Sequence, residues 1–411
     1  MSTTTTPYAV ILVPTYNERN NIGRLVELVD RVLVKIKNWK VDLLVIDDSS
    51  PDGTADVVRD LQKKYSFVKL VVNKQKSGLG GAYLRGMDEA FNKMGADAVF
   101  EMDADLSHDP KKIPAFLAAL DGGADMVLGS RYQSGGSIPS NWGLHRKFLS
   151  VIGNLVISTI FFNWKLRDWT TGYRAIRRSI YEAIHSEMQS ERFTGYTFQI
   201  GFLHKAIQNG FTVKEVPFNF VDRTEGESKL GPEYIINTLR YIIKARIQEI
   251  FASRIFKFLA VGTIGFVVNF AFFTLFKSVR LWSAVISPAL GPEMRNSLSA
   301  ATSDAGLAVI LGAEMAIISN YLINNVWTFS DRKITGLGKH LSKFAQFNLG
   351  SVGSIVIQYI TMQAALRFIG LFTIIRIAGI AIESDNLYLV IGVLLGMIWN
   401  FSIYSLVIWR K

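Results

Sequence analysis

Two aspartates separated by one residue follow a segment that is predicted to be a buried strand. Asp103 and Asp105 flank Ala104, and the apolar run 98–102 precedes them. Paired carboxylates supply hard oxygen ligands, which hold Mg²⁺ or Mn²⁺ and leave coordination positions for a substrate phosphate. The alternative interpretation of a single Asp-X-Asp sequence is a solvated acidic turn. The neighbouring segments decide between the two.

Strands and helices alternate through the first hundred residues. Apolar runs predict strands at 9–13, 43–46, 68–72 and 98–102, and helical spacing predicts helices at 20–36, 54–65 and 78–94. This alternation predicts a mainly parallel sheet with helices on both faces. Ligands of such sheets bind at the carboxyl ends of the strands. We therefore expect the polar residues after strands one, two and four to form one nucleotide site.

Several of these residues have both a functional and a structural interpretation. Asp48 suits a hydrogen bond to a base or ribose, or else it caps the turn at Ser50 or Thr54. Glu18 suits the same nucleoside, or else the first turn of a helix, where acids are favoured. The glycines at 78–81 lack the rest of a phosphate-loop motif, so close packing of helix against strand is their expected role.

Composition narrows the class of protein. The chain has 411 residues, 49% of them hydrophobic, a net charge of +11 and no cysteine. This length predicts two domains, and the absence of cysteine excludes disulfides and thiolate chemistry. The positive charge fits the cytoplasmic face of a membrane protein. We expect no nucleic-acid partner, because the sequence has no base-stacking motif and no arginine-rich arm.

Six motifs occur in a fixed order along the first half of the chain. They are Pro-Thr-Tyr-Asn-Glu at 14–18, Ile-Asp-Asp-Ser-Ser-Pro-Asp-Gly-Thr at 46–54, Met-Asp-Ala-Asp-Leu-Ser-His-Asp-Pro at 102–110, Gly-Ser-Arg-Tyr at 129–132, Asp-Trp-Thr-Thr-Gly-Tyr-Arg-Ala at 168–175 and Val-Asp-Arg-Thr-Glu-Gly-Glu-Ser-Lys-Leu at 221–230. Together they resemble the inverting family 2 glycosyltransferases with a GT-A fold, and most of all the dolichol-phosphate mannose synthases and related polyprenyl-phosphate glycosyltransferases. The resemblance implies a GT-A catalytic domain at 1–231.

The resemblance also implies a role for each matching position. The nucleotide-sugar site comprises Pro14, Tyr16, Glu18, Ile46, Asp48, Asp103, Ala104, Asp105, Arg131 and Lys229. The lipid-phosphate site comprises Arg131, Arg223, Ser228 and Lys229. The metal ligands are Asp103, Asp105 and Ser107, and the catalytic residues are Asp105, Arg131 and Arg223. Ser107 stands where some relatives have glutamine.

The chemistry of these residue types fits hexose transfer from a nucleoside diphosphate sugar to a polyprenyl or dolichyl monophosphate. Mg²⁺ or Mn²⁺ and nearby arginines would stabilise the anionic leaving group. The acceptor phosphate is already ionised near pH 7, since its second pKa is about 6, so no strong base is needed. A single displacement inverts the anomeric centre. We therefore expect His108 to begin a helix or support the metal site.

The second half is predicted to be a membrane domain. Residues 232–254 form a basic amphipathic pattern, typical of juxtamembrane helices that contact membrane lipids, although an ordinary packed helix shows the same pattern. Four apolar segments follow, each close to the roughly 20 residues that cross a bilayer. They lie at about 256–276, 306–326, 348–370 and 388–409. Glu314 lies within the second, where a carboxylate is expected to be paired or hydrogen-bonded.

Basic residues predict the orientation of this domain. The loop after the second span holds one acid, Asp331, and four cations, Arg332, Lys333, Lys339 and Lys343. By the positive-inside rule this loop, both termini and the catalytic domain are cytoplasmic. Residues 255–411 resemble the four-helix GtrA-like transmembrane domains, through Lys257-Phe258 and the segment 320–329. Asn400-Phe401 faintly repeats Asn320-Tyr321, as a duplicated hairpin would.

Two classes of function fit these features. One is a polyprenyl-phosphate glycosyltransferase, with GDP-mannose as the favoured donor and UDP-glucose as the alternative. The other is a transporter or flippase of lipid-linked sugar whose soluble domain senses a nucleotide sugar. The spans have no broken-helix or multiple-charge pattern of a transport path, which favours the enzyme.

Overall fold

A computed structural model describes residues 6–74, 76, 78–190, 196–222, 232–279, 304–377 and 380–410. It divides into unit 1, Met1–Arg246, and unit 2, Ile247–Lys411. The predicted site residues Arg223, Ser228 and Lys229 lie outside the described residues. Their roles therefore stay predictions.

Unit 1 is built on a seven-stranded sheet. The strands are β1 (Tyr8–Thr15), β2 (Lys40–Asp47), β3 (Val68–Val72), β4 (Ala98–Glu101), β5 (Met126–Ser130), β6 (Arg174–Arg177) and β7 (Val213–Pro217). Their order is β3-β2-β1-β4-β6-β5-β7. Among these strands β6 alone is antiparallel to both of its neighbours, β4 and β5. The predicted mainly parallel sheet is confirmed, as are the predicted strands.

Helices cover both faces of this sheet. They are α1 (Arg19–Leu33), α2 (Thr54–Lys64), α3 (Gly78–Asp88), α4 (Ile113–Asp121), α5 (Leu144–Ile160), α6 (Arg178–Ser190), α7 (Tyr196–Gln208) and α8 (Pro232–Ala252). Alternate residues of β1 enter two separate cores, because side chains of a strand point to opposite faces. Val10 and Leu12 pack with α3 and with α5 to α8, whereas Ile11 and Val13 pack with α1, α2 and α4. The result is a three-layer α/β domain.

Helix α8 occupies the segment predicted to be juxtamembrane. Ile242 and Ala245 belong to the core of unit 1, so one face of the helix is an ordinary packed face. Ile235, Ile236 and Leu239 are exposed on the same helix. The packed-helix interpretation is therefore confirmed for one face, and contact of the exposed face with membrane lipids stays a prediction.

Unit 2 consists mainly of long apolar helices. They are α9 (Arg254–Val279), α10 (Asp304–Ile323), α11 (Leu337–Phe368) and α12 (Ser384–Ile403). Within the described residues, four segments are long and apolar enough to cross a membrane: Arg254–Val279, Ala308–Thr328, Leu337–Phe368 and Val390–Ile408. Four spans were predicted, and three of these segments agree with their predicted bounds within two or three residues. The third begins at Leu337, well before the predicted 348, so Lys339 and Lys343, expected in a loop, lie in α11. An antiparallel hairpin of β8 (Thr373–Ile377) and β9 (Ile380–Glu383), which the sequence analysis did not predict, joins α11 to α12.

Unit 2 contains two helix pairs, α9 with α10 and α11 with α12, and the second helix of each pair ends in the same way. Helices α10 and α12 each continue into a π-helical turn, at Asn324–Thr328 and Tyr404–Ile408. The residues that follow these turns, Phe329 and Trp409, stand 80 positions apart in sequence and stack with ring centroids 4.6 Å apart. This shared ending supports the duplication that Asn320 and Asn400 suggested. Between the hairpins, Asn348 donates a hydrogen bond of 3.5 Å to Glu314, as expected for an intramembrane carboxylate.

Candidate active site

The carboxyl ends of β1, β2 and β4 lie at one edge of the sheet, since these strands are parallel. A non-glycine residue adopts the left-handed conformation shortly after each strand: Asn17 with φ 63°, Ser49 with φ 56° and Leu106 with φ 65°. This conformation is costly for residues other than glycine, and it concentrates at functional sites. The three loops are therefore held in sharp turns at the edge where the nucleotide site is predicted.

Asp103 and Asp105 lie in the loop after β4, and both carboxylates are held in place. Tyr83 donates a hydrogen bond of 3.2 Å from its hydroxyl to Asp103 Oδ1. The backbone N–H of Ser107 donates to Asp105 Oδ1 at 3.0 Å. Asp103 retains 37% side-chain exposure, so one carboxylate faces solvent at the edge of the sheet.

The chemistry of this loop fits a divalent cation that is shared with a substrate. The two aspartates provide hard oxygen donors, and the described residues include no cluster of three or more His, Cys, Asp or Glu side chains that could enclose a metal. A cation held here would therefore take its other ligands from water or from a diphosphate. Ser107 is 1% exposed and its buried Oγ has no hydrogen-bond partner among the described residues. Its predicted metal bond remains untested.

The buried His108 side chain supports the loop that carries Asp103 and Asp105. Its Nδ1 accepts a hydrogen bond of 3.1 Å from the backbone N–H of Asp103, so Nε2 carries the proton of the neutral ring. The ring stacks on Tyr173 with centroids 4.9 Å apart and is 2% exposed. A buried imidazole that accepts a backbone N–H suits support of the metal loop, as the sequence predicted, and not proton transfer with a substrate.

Asp47 and Asp48 are neighbours at the end of β2, but they make different hydrogen bonds. Asp47 accepts hydrogen bonds from Thr15 Oγ1 at 3.0 Å and Ser50 Oγ at 2.6 Å, and Asp52 caps the start of α2 through Thr54. Asp47 and Asp52 therefore make the turn-capping hydrogen bonds that were the alternative role of Asp48. Asp48 itself accepts a 2.6 Å hydrogen bond from Asn73 Nδ2. Its predicted contact with a nucleoside stays a prediction.

The other predicted nucleoside residues differ in accessibility. Tyr16 is partly exposed, and the Lys76 ammonium lies 3.7 Å from its ring centroid. Glu18 directly precedes α1, and its carboxylate accepts a hydrogen bond of 2.8 Å from the Asn21 side chain. Two side chains are shielded from solvent: Ile46 is fully buried and Ala104 is 3% exposed. Pro14 is partly buried.

Arg131 follows β5, whose carboxyl end lies at the same edge because the antiparallel β6 separates β4 from β5. Its guanidinium is held by a buried carboxylate. Nε lies 2.8 Å from Asp168 Oδ2 and Nη2 lies 2.7 Å from Asp168 Oδ1. Nη2 also donates to Thr170 Oγ1 at 2.7 Å. Arg131 is 9% exposed and Asp168 is fully buried.

Asp168 is itself fixed by the surrounding structure. Its backbone N–H donates to Glu215 Oε1 at 2.9 Å, and its Oδ2 accepts the backbone N–H of Arg131 at 3.0 Å. Burial raises the pKa of Glu215. Helix α5 contacts the same network, since Asn154 Oδ1 accepts the N–H of Trp169 at 2.7 Å. These hydrogen bonds fix the position of the loop that carries Asp168 without any contribution from a substrate.

A second buried ion pair lies beneath the aspartates. Arg174 Nε is 4.0 Å from Glu101 Oε2, and both side chains are fully buried. The guanidinium also donates to the backbone carbonyls of Thr171, Trp169 and Gln199. Burial raises the pKa of Glu101 to about 7, with the nearby Arg174 opposing the shift. Burial likewise lowers the pKa of Arg174 to about 10.

Asp168, Arg174 and Glu101 received no role from the sequence. Two lie inside a quoted motif, 168–175, whose charged residues were the available signal. Glu101 is an acid within an apolar strand, a pattern that points to a buried partner. Among the glycines at 78–81, Gly80 has a close-packing role, but against a helix and not a strand, since a Cβ there would lie 2.9 Å from the ring of Phe198 on α7, whereas a Cβ on Gly78 would meet no atom within 4 Å.

Known proteins resemble both halves of the chain. The model of the family described as glycosyl transferase family 2 matches residues 10–184, and that described as the GtrA/DPMS transmembrane domain matches residues 257–409. Among solved structures, mannosyl-3-phosphoglycerate synthase from Rubrobacter xylanophilus is 16% identical with a TM-score of 0.42, covering 60% of this chain and 74% of that one. Glucosyl-3-phosphoglycerate synthase from Mycobacterium tuberculosis, with Mn²⁺, UDP and glucosyl-3-phosphoglycerate, is 17% identical with a TM-score of 0.40, covering 58% and 77%. Scores of this size indicate only a distant likeness.

Two curated proteins are more similar in sequence. Polyprenol monophosphomannose synthase from Mycolicibacterium smegmatis is 39% identical over 227 residues, 55% of this chain and 82% of that protein. Dolichol-phosphate mannosyltransferase from Pyrococcus furiosus is 30% identical over 385 residues, 92% of this chain and 97% of that protein. The resemblance read from the six motifs is confirmed. The chain is a membrane-bound glycosyltransferase of family 2 and belongs, over nearly its whole length, to the dolichol-phosphate mannosyltransferase family with a GtrA/DPMS transmembrane domain.

Proposed function

We propose that the chain transfers mannose from GDP-mannose to a polyprenyl or dolichyl monophosphate at the cytoplasmic face of the membrane. The proposal rests on one observation above all: the two aspartates after β4 and the braced Arg131 after β5 share the carboxyl edge of the sheet. This edge offers a carboxylate pair and an arginine to two phosphate-bearing substrates. The names of the Pyrococcus and Mycolicibacterium relatives support mannose as the sugar.

The surface of α5 supports a lipid acceptor. Tyr132 and Ser150 hydroxyls lie 2.5 Å apart, which joins the Arg131 segment to the inner face of this helix. The outer face exposes large apolar side chains, among them Leu144 at 85% and Phe148 at 64%. Exposed apolar side chains beside a phosphate-binding arginine suit an acceptor with a charged head and a hydrocarbon chain.

The reaction needs little acid–base chemistry. An oxygen of the acceptor phosphate forms a bond to the anomeric carbon while the bond from that carbon to the donor diphosphate breaks. The nucleoside diphosphate leaves with the electron pair, and the product is β-linked when the donor is α-linked. Mg²⁺ or Mn²⁺, when bound, would neutralise charge on the leaving diphosphate. Asp103 and Asp105 would hold it, and Tyr83 and His108 keep that loop in position.

The contribution of Arg131 to phosphate binding comes from the fixed orientation of its guanidinium more than from net positive charge. Asp168 neutralises its positive charge, so the pair as a whole adds no charge to the site. Asp168 and Thr170 fix the plane of the guanidinium, and this plane sets the direction from which it can approach a phosphate oxygen. The excess positive charge that two anionic substrates require would come from other cations, for which Arg223 and Lys229 remain the candidates.

A donor panel tests the proposal. The full chain in detergent is incubated with polyprenyl phosphate, Mg²⁺ or Mn²⁺, and radiolabelled GDP-mannose or UDP-glucose, and labelled lipid is measured. We expect label from GDP-mannose, and its loss in Asp105→Asn but not in Asp60→Asn, a matched change of an exposed carboxylate on α2. Transfer from UDP-glucose alone would establish the alternative donor. Failure of both donors with folded protein would reject lipid glycosylation.

A further inference from the structure

A cavity of about 400 Å³ lies in unit 2, where described segments of three candidate spans end. The loop after α10, the first turns of α11 and the residues after α12 line it. Five of its eleven lining residues are cations, namely Arg332, Lys333, Lys339, Lys343 and Arg410. The lining, as far as the described residues form it, includes no acid. A cavity of this size is within the range of small-ligand sites.

Two of the five cations are fixed by neutral groups. Arg332 Nη1 donates to the carbonyl of Trp409 at 3.2 Å, and Lys343 Nζ donates to the carbonyl of Val407 at 3.0 Å. These contacts cap the end of the last span, where cations interact favourably with unpaired carbonyls. They hold the cations in place without cancelling their charge.

The nearest carboxylate cannot balance this charge. Asp331 Oδ2 lies 2.5 Å from Arg254 Nη2 and 3.5 Å from Arg332 Nε, so it is shared between two arginines. Lys333, Lys339 and Arg410 have no ion pair within the described part of the chain. Among the described residues, Arg332 is therefore the one cation of the five with a carboxylate nearby, and Arg254 shares that carboxylate.

The start of α11 adds to the positive potential. This helix has 32 residues, and Gly338 and Lys339 of its first turn line the cavity. The first N–H groups of a helix have no partner within the helix, and they attract anions. The positive-inside rule accounts for basic residues on this side of the membrane, but it does not require them to surround a cavity together with a helix start.

We propose that this cavity binds a phosphate group carried by an anionic lipid headgroup. The lining residues stand at the ends of candidate spans, the depth at which headgroups lie, and basic pockets between spans select such lipids. All the described lining residues belong to unit 2.

Lipid retention measured by native mass spectrometry tests this site. The full chain in a mild detergent is titrated with phosphatidylglycerol, with zwitterionic phosphatidylcholine, and in a separate arm with inorganic phosphate. The test variant is Lys333→Gln with Lys339→Gln. Its matched control, Lys277→Gln with Arg367→Gln, removes two cations from the far ends of α9 and α11. Lys333→Arg with Lys339→Arg checks that charge and not side-chain identity matters.

We expect phosphatidylglycerol binding to weaken at least about fivefold in the glutamine test variant and to be unchanged in the control and in the arginine variant. Saturation by millimolar inorganic phosphate, with no preference for phosphatidylglycerol, would show a free-anion site and overturn the lipid assignment. Equal weakening in test and control variants, or equal retention of phosphatidylcholine, would overturn the site itself. Melting temperatures of all variants show whether any loss comes from unfolding.

Discussion

Arg131 and Asp168 form a buried two-armed ion pair, with Nε–Oδ2 at 2.8 Å and Nη2–Oδ1 at 2.7 Å. The pair joins the residue after β5 to the segment before β6, 37 positions further along the chain. Two parallel hydrogen bonds fix the plane of the guanidinium as well as its position. Asp168 is therefore a positioning residue for an arginine that we propose to contact phosphate.

Removal of one partner should damage both stability and transfer. We expect Asp168→Leu to destabilise the protein by about 3–5 kcal/mol, because it leaves a buried guanidinium unpaired. Arg131→Met with Asp168→Leu should recover most of the melting temperature, since the buried charges are removed together. Transfer should not recover in this double variant. Recovered transfer would show that Arg131 contributes only to folding.

The aspartate loop should govern nucleotide binding through the metal. We expect Asp105→Asn to lower transfer about 100-fold or more, because charge on the leaving group would no longer be neutralised. GDP binding measured by calorimetry should strengthen with Mn²⁺ in the wild type and be insensitive to Mn²⁺ in the variant. Chelation with EDTA should reproduce the loss of transfer. Metal-independent transfer would exclude a metal role for these carboxylates.

His108 should act through the position of Asp103. We expect His108→Phe to keep the stacking on Tyr173 but to leave the Asp103 N–H without its acceptor, at a cost of about 1–3 kcal/mol. The apparent affinity for Mn²⁺ should fall about 10- to 100-fold, as for other residues that orient metal ligands. A plot of transfer against pH should keep its shape. A lost limb of that profile would indicate that His108 is a base.

Glu101 should make stability depend on pH. Its pKa is raised from 4.5 to about 7 in the folded protein, so the folded state retains a proton that the unfolded chain loses. The contribution of Glu101 to stability should therefore be fully present below pH 4.5 and decline as the pH rises to about 7, by on the order of 3 kcal/mol.

Glu101→Gln should remove this decline. The difference in melting temperature between wild type and variant, measured from pH 5 to pH 8, isolates the contribution of Glu101. A constant difference across this range would mean that Glu101 stays ionised beside Arg174.

Helix packing in unit 2 should depend on particular glycines. A Cβ on Gly353 would clash with the Trp399 indole nitrogen, which itself donates to the Gly350 carbonyl. We expect Gly353→Ala to destabilise the helix pair by about 1–3 kcal/mol. Gly262→Ala is the matched control, because a Cβ there meets no atom within 4 Å. Equal melting temperatures for both variants would contradict this packing.

Local pattern determined much of the fold. The apolar runs and helical spacing predicted β1 to β4 and α1 to α3, since side-chain periodicity reports which face of each element is buried. Length and hydropathy likewise predicted the four membrane segments. The hairpin of β8 and β9 was missed because neither strand alternates clearly between apolar and polar residues.

The sequence by itself determined the residue types of the site and their order, because motif and strand-end position can be read locally. Only the tertiary structure decided which residues meet. It placed Asp168 against Arg131, Arg174 beneath Glu101, and His108 under the backbone of Asp103. It also gathered the cations of 332–343 and Arg410 around one cavity. Such pairings join residues far apart along the chain, and sequence patterns describe neighbours within one element but not contacts between elements.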